Sequence, residues 1–211
     1  MMISFDLDGT LVDYSFADAV WLEGIPRLYA ENRGISLSDA KARVKKEYNK
    51  VGMKQLEWYN IQYWLRKFGL DPDSWETLFD RYRHRINTYP EVHEVLQALR
   101  YRECSLAVVS NAARPFLETE LQETGLAEYF DHVFSATSDF KQVKKTETLY
   151  QKVLKALDIK PSEMIHIGDD WHFDYLTPGR AGIRCYYLDR ENEKSGKHIV
   201  NDLTEFLAQI S

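Results

Sequence analysis

The chain is poor in cysteine and has no long apolar run. Its two cysteines, Cys104 and Cys185, stand far apart in or beside apolar segments. They make no Cys-x-x-Cys pair and no disulfide framework, so two buried free thiols in a reducing compartment are expected. Apolar runs such as Leu106–Val109 fall far short of the ~18 residues that span a bilayer. Asp6 and Asp8 interrupt the only apolar stretch near the N-terminus and no basic region precedes it, so no signal peptide is read there. Basic residues are outnumbered, 27 against 33, for a net charge of −6, which argues against a broad nucleic-acid surface. The expectation is a cytoplasmic monomer or homodimer with neither nucleic acid nor membrane as partner.

What is present is an ordinary globular balance, 44% hydrophobic and 28% charged, which excludes disorder as a global description. The 211 residues make one large domain or two small ones. Five short apolar segments read as strands: Ile3–Leu7, Ser105–Val109, His132–Ala136, Met164–Ile167 and Ile183–Leu188. Helical stripes lie between them. Val92, Val95, Leu96 and Leu99 form one, Pro115 to Thr124 a second, Leu149, Val153, Leu154 and Leu157 a third, and Leu203, Phe206, Leu207 and Ile210 a fourth. This alternation predicts an α/β fold, a doubly wound parallel (Rossmann-like) sheet core over residues 1–15 and 89–211. Residues 16–88 carry no strand pattern and several helical ones, which predicts an inserted all-helical domain. Four of the five tryptophans lie there: Trp21, Trp58, Trp64 and Trp75. Trp58, Ile61, Leu65 and Phe68 are expected to form one buried helix face.

The first strand runs into Asp6-Leu7-Asp8-Gly9-Thr10. In extended chain, positions two apart point the same way, so Asp6 and Asp8 face one site. Two close carboxylates need a cation or a shared proton, and Gly9 lets the backbone approach a ligand. Ligands of open α/β sheets sit beyond the carboxyl ends of the strands. There the second strand offers Ser110 and Asn111, and the fourth offers Asp169 and Asp170, with Asp174 beyond. Lys144 and Lys145 stand at the start of a helix. Carboxylates without cysteine suit Mg²⁺ better than Zn²⁺. A hydroxyl, an amide, a lysine and a helix N-terminus make a phosphate cradle. Together these point to phosphoryl transfer with an aspartate as nucleophile.

These residues, in this order, resemble the four motifs of the haloacid dehalogenase-like (HAD) hydrolase superfamily: Asp6-x-Asp8-Gly9-Thr10, Ser110-Asn111, a helix-initial lysine, and Gly168-Asp169-x4-Asp174. The insert stands where that family has its C1-type cap. The resemblance implies that Asp6 is the nucleophile and Asp8 the acid and base. It implies that Asp6, the Asp8 carbonyl and Asp169 hold Mg²⁺, with support from Asp174 and from Asp170. Gly9, Ser110, Asn111 and one lysine would hold the phosphoryl group. Counting forward from Ser138-Asp139 selects Lys145, and counting back from Tyr150 selects Lys144. Thr146 or Lys145 stands where the family's proline would follow, and Thr146 is expected to cap the helix. Asp8 points to the phosphatase branch, since dehalogenases and phosphonatases of the family generally lack this acid.

The function implied is a Mg²⁺-dependent phosphatase acting on a small phosphorylated metabolite through an aspartyl-phosphate. The alternatives are a phosphomutase of the β-phosphoglucomutase type and a phosphate-accepting signalling or binding module. Tyr59, Tyr63 and Arg66, spaced along one helix face, are the substrate-contact candidates of the insert. His166 is expected at a core or pairing position, and His172 at the surface or packed on Trp171. Lys41, Arg43, Lys45, Lys46 and Lys50 read as a solvated helix face.

Overall fold

The computed structural model describes residues 1–210. Six strands form one parallel sheet: β1 (Met2–Phe5), β2 (Ser105–Ser110), β3 (His132–Ser135), β4 (Met164–Gly168), β5 (Arg184–Leu188) and β6 (Ile199–Val200). Their spatial order is β3-β2-β1-β4-β5-β6. The chain thus builds outward from β1 to one side, then returns to build the other. This reversal beside β1 is the switch point at which ligands of such sheets bind. Phe5 is in register with Val108 of β2 and Ile167 of β4, so the chain beyond all three emerges at one edge. β6 has no counterpart among the expected strands; two residues are too short to show a period.

The sheet is buried on both faces, and alternate residues divide between two cores. Ile3, Phe5, Leu106, Val108, Ile165, Ile167, Tyr186 and Leu188 face one, which also holds Cys104. Met2, Ala107, Val109, Met164 and Cys185 face the other. Both cysteines are free and buried.

The chain divides into two compact units, residues 14–87 and the remainder. Within 14–87 lie α1 (Ser15–Asp18), running on through a wide turn Ala19–Gly24, then α2 (Ile25–Arg33), α3 (Leu37–Val51), α4 (Ile61–Lys67) and α5 (Trp75–Tyr82). α3 buries Ala40, Val44 and Tyr48, four apart, and exposes Lys41, Arg43, Lys45, Lys46 and Lys50, a solvated face as expected. The expected stripe from Trp58 to Phe68 is corrected at its start. Asn60 caps α4, its side chain accepting from the Tyr63 amide at 2.9 Å, so Trp58 lies before the helix. The fully buried indole is Trp64. Its ring meets Tyr48 at 4.5 Å and stacks on Phe68 at 5.8 Å, and its Nε1 donates to the Trp58 carbonyl at 3.0 Å.

The α/β unit adds α6 (Val92–Tyr101), α7 (Arg114–Glu123), α8 (Glu147–Leu157), α9 (Thr177–Arg180) and α10 (Leu203–Gln209). Val92, Val95, Leu96 and Leu99 of α6 join the first core, and Leu149, Tyr150, Val153 and Leu154 of α8 join the second. Thr146 caps α8, accepting from the Leu149 amide at 3.2 Å. Pro178 is the second residue of α9, which continues from a wide turn over Trp171–Leu176.

Candidate active site

β1 hands directly to the first acid: the Asp6 amide donates to the Ile167 carbonyl at 2.9 Å, extending the ladder by one residue. The chain then turns tightly. The Leu11 amide donates to the Leu7 carbonyl at 2.8 Å, and the Gly9 amide to the Val12 carbonyl at 2.7 Å. Gly9 sits at φ 78°, which favours a residue without Cβ. Asp6 is buried and Asp8 half-buried. Arg190, from beyond β5, fastens this loop. Its Nε donates to the Gly9 carbonyl at 3.2 Å, and a terminal nitrogen donates to the Thr10 carbonyl at 2.8 Å. Its other terminal nitrogen pairs with Glu91 at 2.8 Å, and the guanidinium lies 3.4 Å from the centre of the Tyr89 ring.

Of the two lysines, the structure brings Lys145 into this cluster. Its ammonium lies 2.6 Å from Asp6 Oδ1 and 2.5 Å from Asp174 Oδ1, with the side chain 2% exposed. Lys144 stands 5.0 Å over the Phe173 ring instead. Lys144 adopts φ 78°, and this turn of the backbone sends neighbouring side chains to different places.

Asp174 reaches the site because Gly168 leaves room: a Cβ there would stand 2.5 Å from Asp174 Cγ. Asp174 Oδ2 accepts from the Asp170 amide at 3.1 Å. Its Oδ1 also faces His166 Nε2 at 3.1 Å. His166 in turn meets Ser4 Oγ at 2.7 Å and the Tyr150 hydroxyl at 3.0 Å, and that hydroxyl donates to the Phe173 carbonyl at 2.9 Å. Ser4, His166 and Tyr150 are fully buried in the second core.

Asp6, Asp169 and Asp174 each offer a carboxylate oxygen within 4.8 Å of the others. Burial pushes Asp6 well above its ordinary value; Lys145 opposes this, and Asp174 and Asp169 add to it. Burial would also raise Asp174, but Lys145 and His166 overcome it and hold the group at about 2. Burial would lower Lys145, but Asp174 and Asp6 raise it. Burial holds His166 below its ordinary value against the pull of Asp174. Three carboxylates around one ammonium leave a negative excess that a divalent cation would neutralise. Oxygen donors without sulfur suit a hard cation.

Ser110 ends β2, its Oγ accepting from the Ala112 amide at 2.9 Å. Asn111 follows it, with its carbonyl accepting from Thr137 at 3.2 Å. Among the described residues, Thr10 Oγ1, Asn111 Oδ1 and both carboxyl oxygens of Glu120 are buried without a hydrogen-bond partner. Buried polar atoms are seldom left so unless a ligand or water completes them. Glu120, on α7, is fully buried, and burial followed by the charges of Asp8, Asp13 and Asp6 raises it well above its ordinary value.

Sequence reasoning missed Glu120, Ser4, Tyr150 and Arg190. Two of them left a signal. Ser4 is the polar residue inside an apolar strand at the same parity as Asp6. Glu120 falls on the apolar face of α7, four residues after buried Phe116.

The remaining expected residues have the following surroundings. The Asp170 carboxylate caps the turn that follows β4, accepting from the His172 and Phe173 amides at 2.8 Å each. His172 is at the surface, the first of its two expected placements, beside Phe173. Within the helical unit, the Tyr59 hydroxyl donates to the Met53 carbonyl at 3.4 Å. The Tyr63 ring lies under Lys67, and Arg66 is exposed. No helix among the described residues is long and apolar enough to cross a membrane.

The haloacid dehalogenase-like hydrolase family matches residues 1–182. The chain is 29% identical over 195 residues to the GMP/IMP nucleotidase YrfG of Escherichia coli (strain K12), covering 92% of this chain and 84% of that protein. It is 27% identical over 185 residues to the pyrophosphatase PpaX of Bacillus cereus (strain B4264), covering 86% and 80%. A HAD phosphatase from Thermococcus onnurineus superposes with a TM-score of 0.84 at 22% identity, covering 100% of this chain and 97% of that one, a likeness of fold.

Proposed function

The chain belongs to the haloacid dehalogenase-like hydrolase family, and from that premise we propose that it is a Mg²⁺-dependent phosphatase. It cleaves a small phosphorylated metabolite through an aspartyl-phosphate on Asp6. The observation that carries this is the buried Lys145 ammonium between Asp6 and Asp174, with the Asp169 carboxylate beside them. The named activities of the nucleotidase and pyrophosphatase relatives support a phosphorylated small molecule as substrate.

An Asp6 carboxylate oxygen attacks phosphorus as the bond to the leaving oxygen breaks. Asp8 gives that oxygen its proton. The Asp8 carboxylate then takes a proton from water, the water oxygen attacks phosphorus, and the Asp6 acyl-phosphate bond breaks to release phosphate. Lys145, Ser110, the side-chain amide N–H of Asn111 and the backbone at Gly9 bind and orient the phosphoryl oxygens, and the unpartnered Thr10 hydroxyl can donate to them. Asp6, Asp169 and the Asp8 carbonyl would hold Mg²⁺, with Asp174 behind them and the Asp170 amide holding Asp174. Bound there, Mg²⁺ supplies positive charge that lets an anionic phosphoryl group approach ionised Asp6.

Release of inorganic phosphate from an aryl phosphate and a panel of nucleotides and sugar phosphates tests the reading, with Mg²⁺ and with EDTA. Mg²⁺-dependent release that disappears in Asp6→Asn is expected. Normal turnover in Asp6→Asn overturns the reading, and sugar-phosphate interconversion without phosphate release replaces it with the mutase.

A further inference from the structure

We propose that His166 is a positioning residue that fixes the carboxylate of Asp174, and through it the aim of Lys145 at Asp6. The inference rests on the reading of Asp6 and Lys145 as the reacting centre. It adds a residue that the motif pattern leaves unassigned.

Ser4 of β1 and His166 of β4 are paired residues on adjacent central strands. Both point into a layer otherwise built from Met2, Ala107, Val109, Met164, Leu149 and Val153. Two polar side chains in such a layer are costly unless their hydrogen bonds are complete. They are complete, and the order of donors can be worked out. An Asp174 carboxylate can only accept, so His166 Nε2 carries the hydrogen between them at 3.1 Å. The Tyr150 hydroxyl already donates to the Phe173 carbonyl at 2.9 Å, so it too accepts from Nε2, at 3.0 Å. This holds whatever the charge on the ring. Ser4 Oγ, 2.7 Å from Nδ1 and 3.3 Å from the Ile165 carbonyl, holds the other side of the imidazole.

Asp174 is therefore gripped at three points. Lys145 and His166 share Oδ1, and the Asp170 amide takes Oδ2. The lysine and the amide come from surface connections, whereas His166 comes from a central strand. His166 is the contact that refers the carboxylate to the rigid sheet, and a side chain held by a rigid partner keeps its geometry through turnover. Lys145, drawn to Asp174 at 2.5 Å, is thereby kept 2.6 Å from Asp6. Tyr150 extends the same support to α8, which begins two residues after Lys145.

Two variants and one spectrum test this. Gln at this position places an amide N–H near the Nε2 position, while Leu removes the donor. Turnover per folded protein should fall at least about tenfold in His166→Leu with KM little changed, and His166→Gln should recover most of it. The fraction folded is taken from urea titration, so a loss of stability alone leaves the normalised turnover unmoved. In the wild-type protein, ¹⁵N NMR of the His166 ring should show a protonated Nε2. A bare Nε2, or unchanged normalised turnover in His166→Leu, overturns the inference. The wider reading fails separately, through Asp6→Asn, and the NMR result does not depend on it.

Discussion

Lys144 and Lys145 differ by one position and by all of their surroundings. Removing the buried ammonium in Lys145→Met strands the Asp6 and Asp174 carboxylates, at a cost of about 3–5 kcal/mol. Turnover should fall at least about a hundredfold, since a fixed positive charge is lost from beside the reacting atoms. Lys144→Met should keep stability within about 0.5 kcal/mol and turnover near wild type. Urea titration and steady-state kinetics on the pair check both. Glu120 makes a second residue-scale prediction. Its folded value is raised above the ordinary 4.5, so the stability it contributes is present below that pH. It is lost as pH rises towards the folded value, because the unfolded chain gives up its proton first. Glu120→Gln keeps the neutral form at every pH. Thermal unfolding should show the variant gaining on wild type as pH climbs from about 5 to 8, and a constant difference would refute this. The sequence made Asp6, Asp8 and Asp169 legible because carboxylates broke or ended apolar strands. The choice of lysine was not legible, since it follows from the φ of Lys144, which packing sets. The support given by His166 was not legible either, since pairing with Ser4 across 162 positions exists only in the folded sheet.

The turn after β4 carries more of the site than any helix. Asp170 caps it through the His172 and Phe173 amides, and the Asp174 amide bonds back to the Asp170 carbonyl at 2.8 Å. The carboxylate of Asp174 then folds over Gly168, where no Cβ can stand. Gly168→Ala should push the turn outward, reducing stability by about 1–3 kcal/mol as overpacking does. The same shift should carry Asp174 off Lys145 and remove most of the turnover. Wild-type activity in Gly168→Ala would show that the turn has slack. The sequence signalled this element only in part. Five strands follow from their short apolar runs and the four stripes of α6, α7, α8 and α10 from periodicity, because each buries a continuous or repeating set of side chains. The turn has no period to read. The start of α4 escapes the apolar spacing for a related reason, since the cap at Asn60 ends the helix before that spacing reaches Trp58.

At the scale of the molecule, the two units keep separate accounts of burial. The two sheet cores draw every buried residue from outside 14–87. The helical unit builds around Trp64, Tyr48 and Phe68. With four of the five tryptophans in that unit, tryptophan emission in urea should follow it, while far-UV circular dichroism follows both. Midpoints that differ between the two probes are expected; coincident curves at every urea concentration would mean that the units unfold as one. The thiols complete this division. Cys104 lies in the core on one face of the sheet and Cys185 in the core on the other, with the Cys185 thiol pushed up to about 12, mainly by burial. Neither reacts until its own layer opens. The protein thus carries two clocks, and the rate at which a disulfide reagent marks each cysteine times the opening of each side of the sheet.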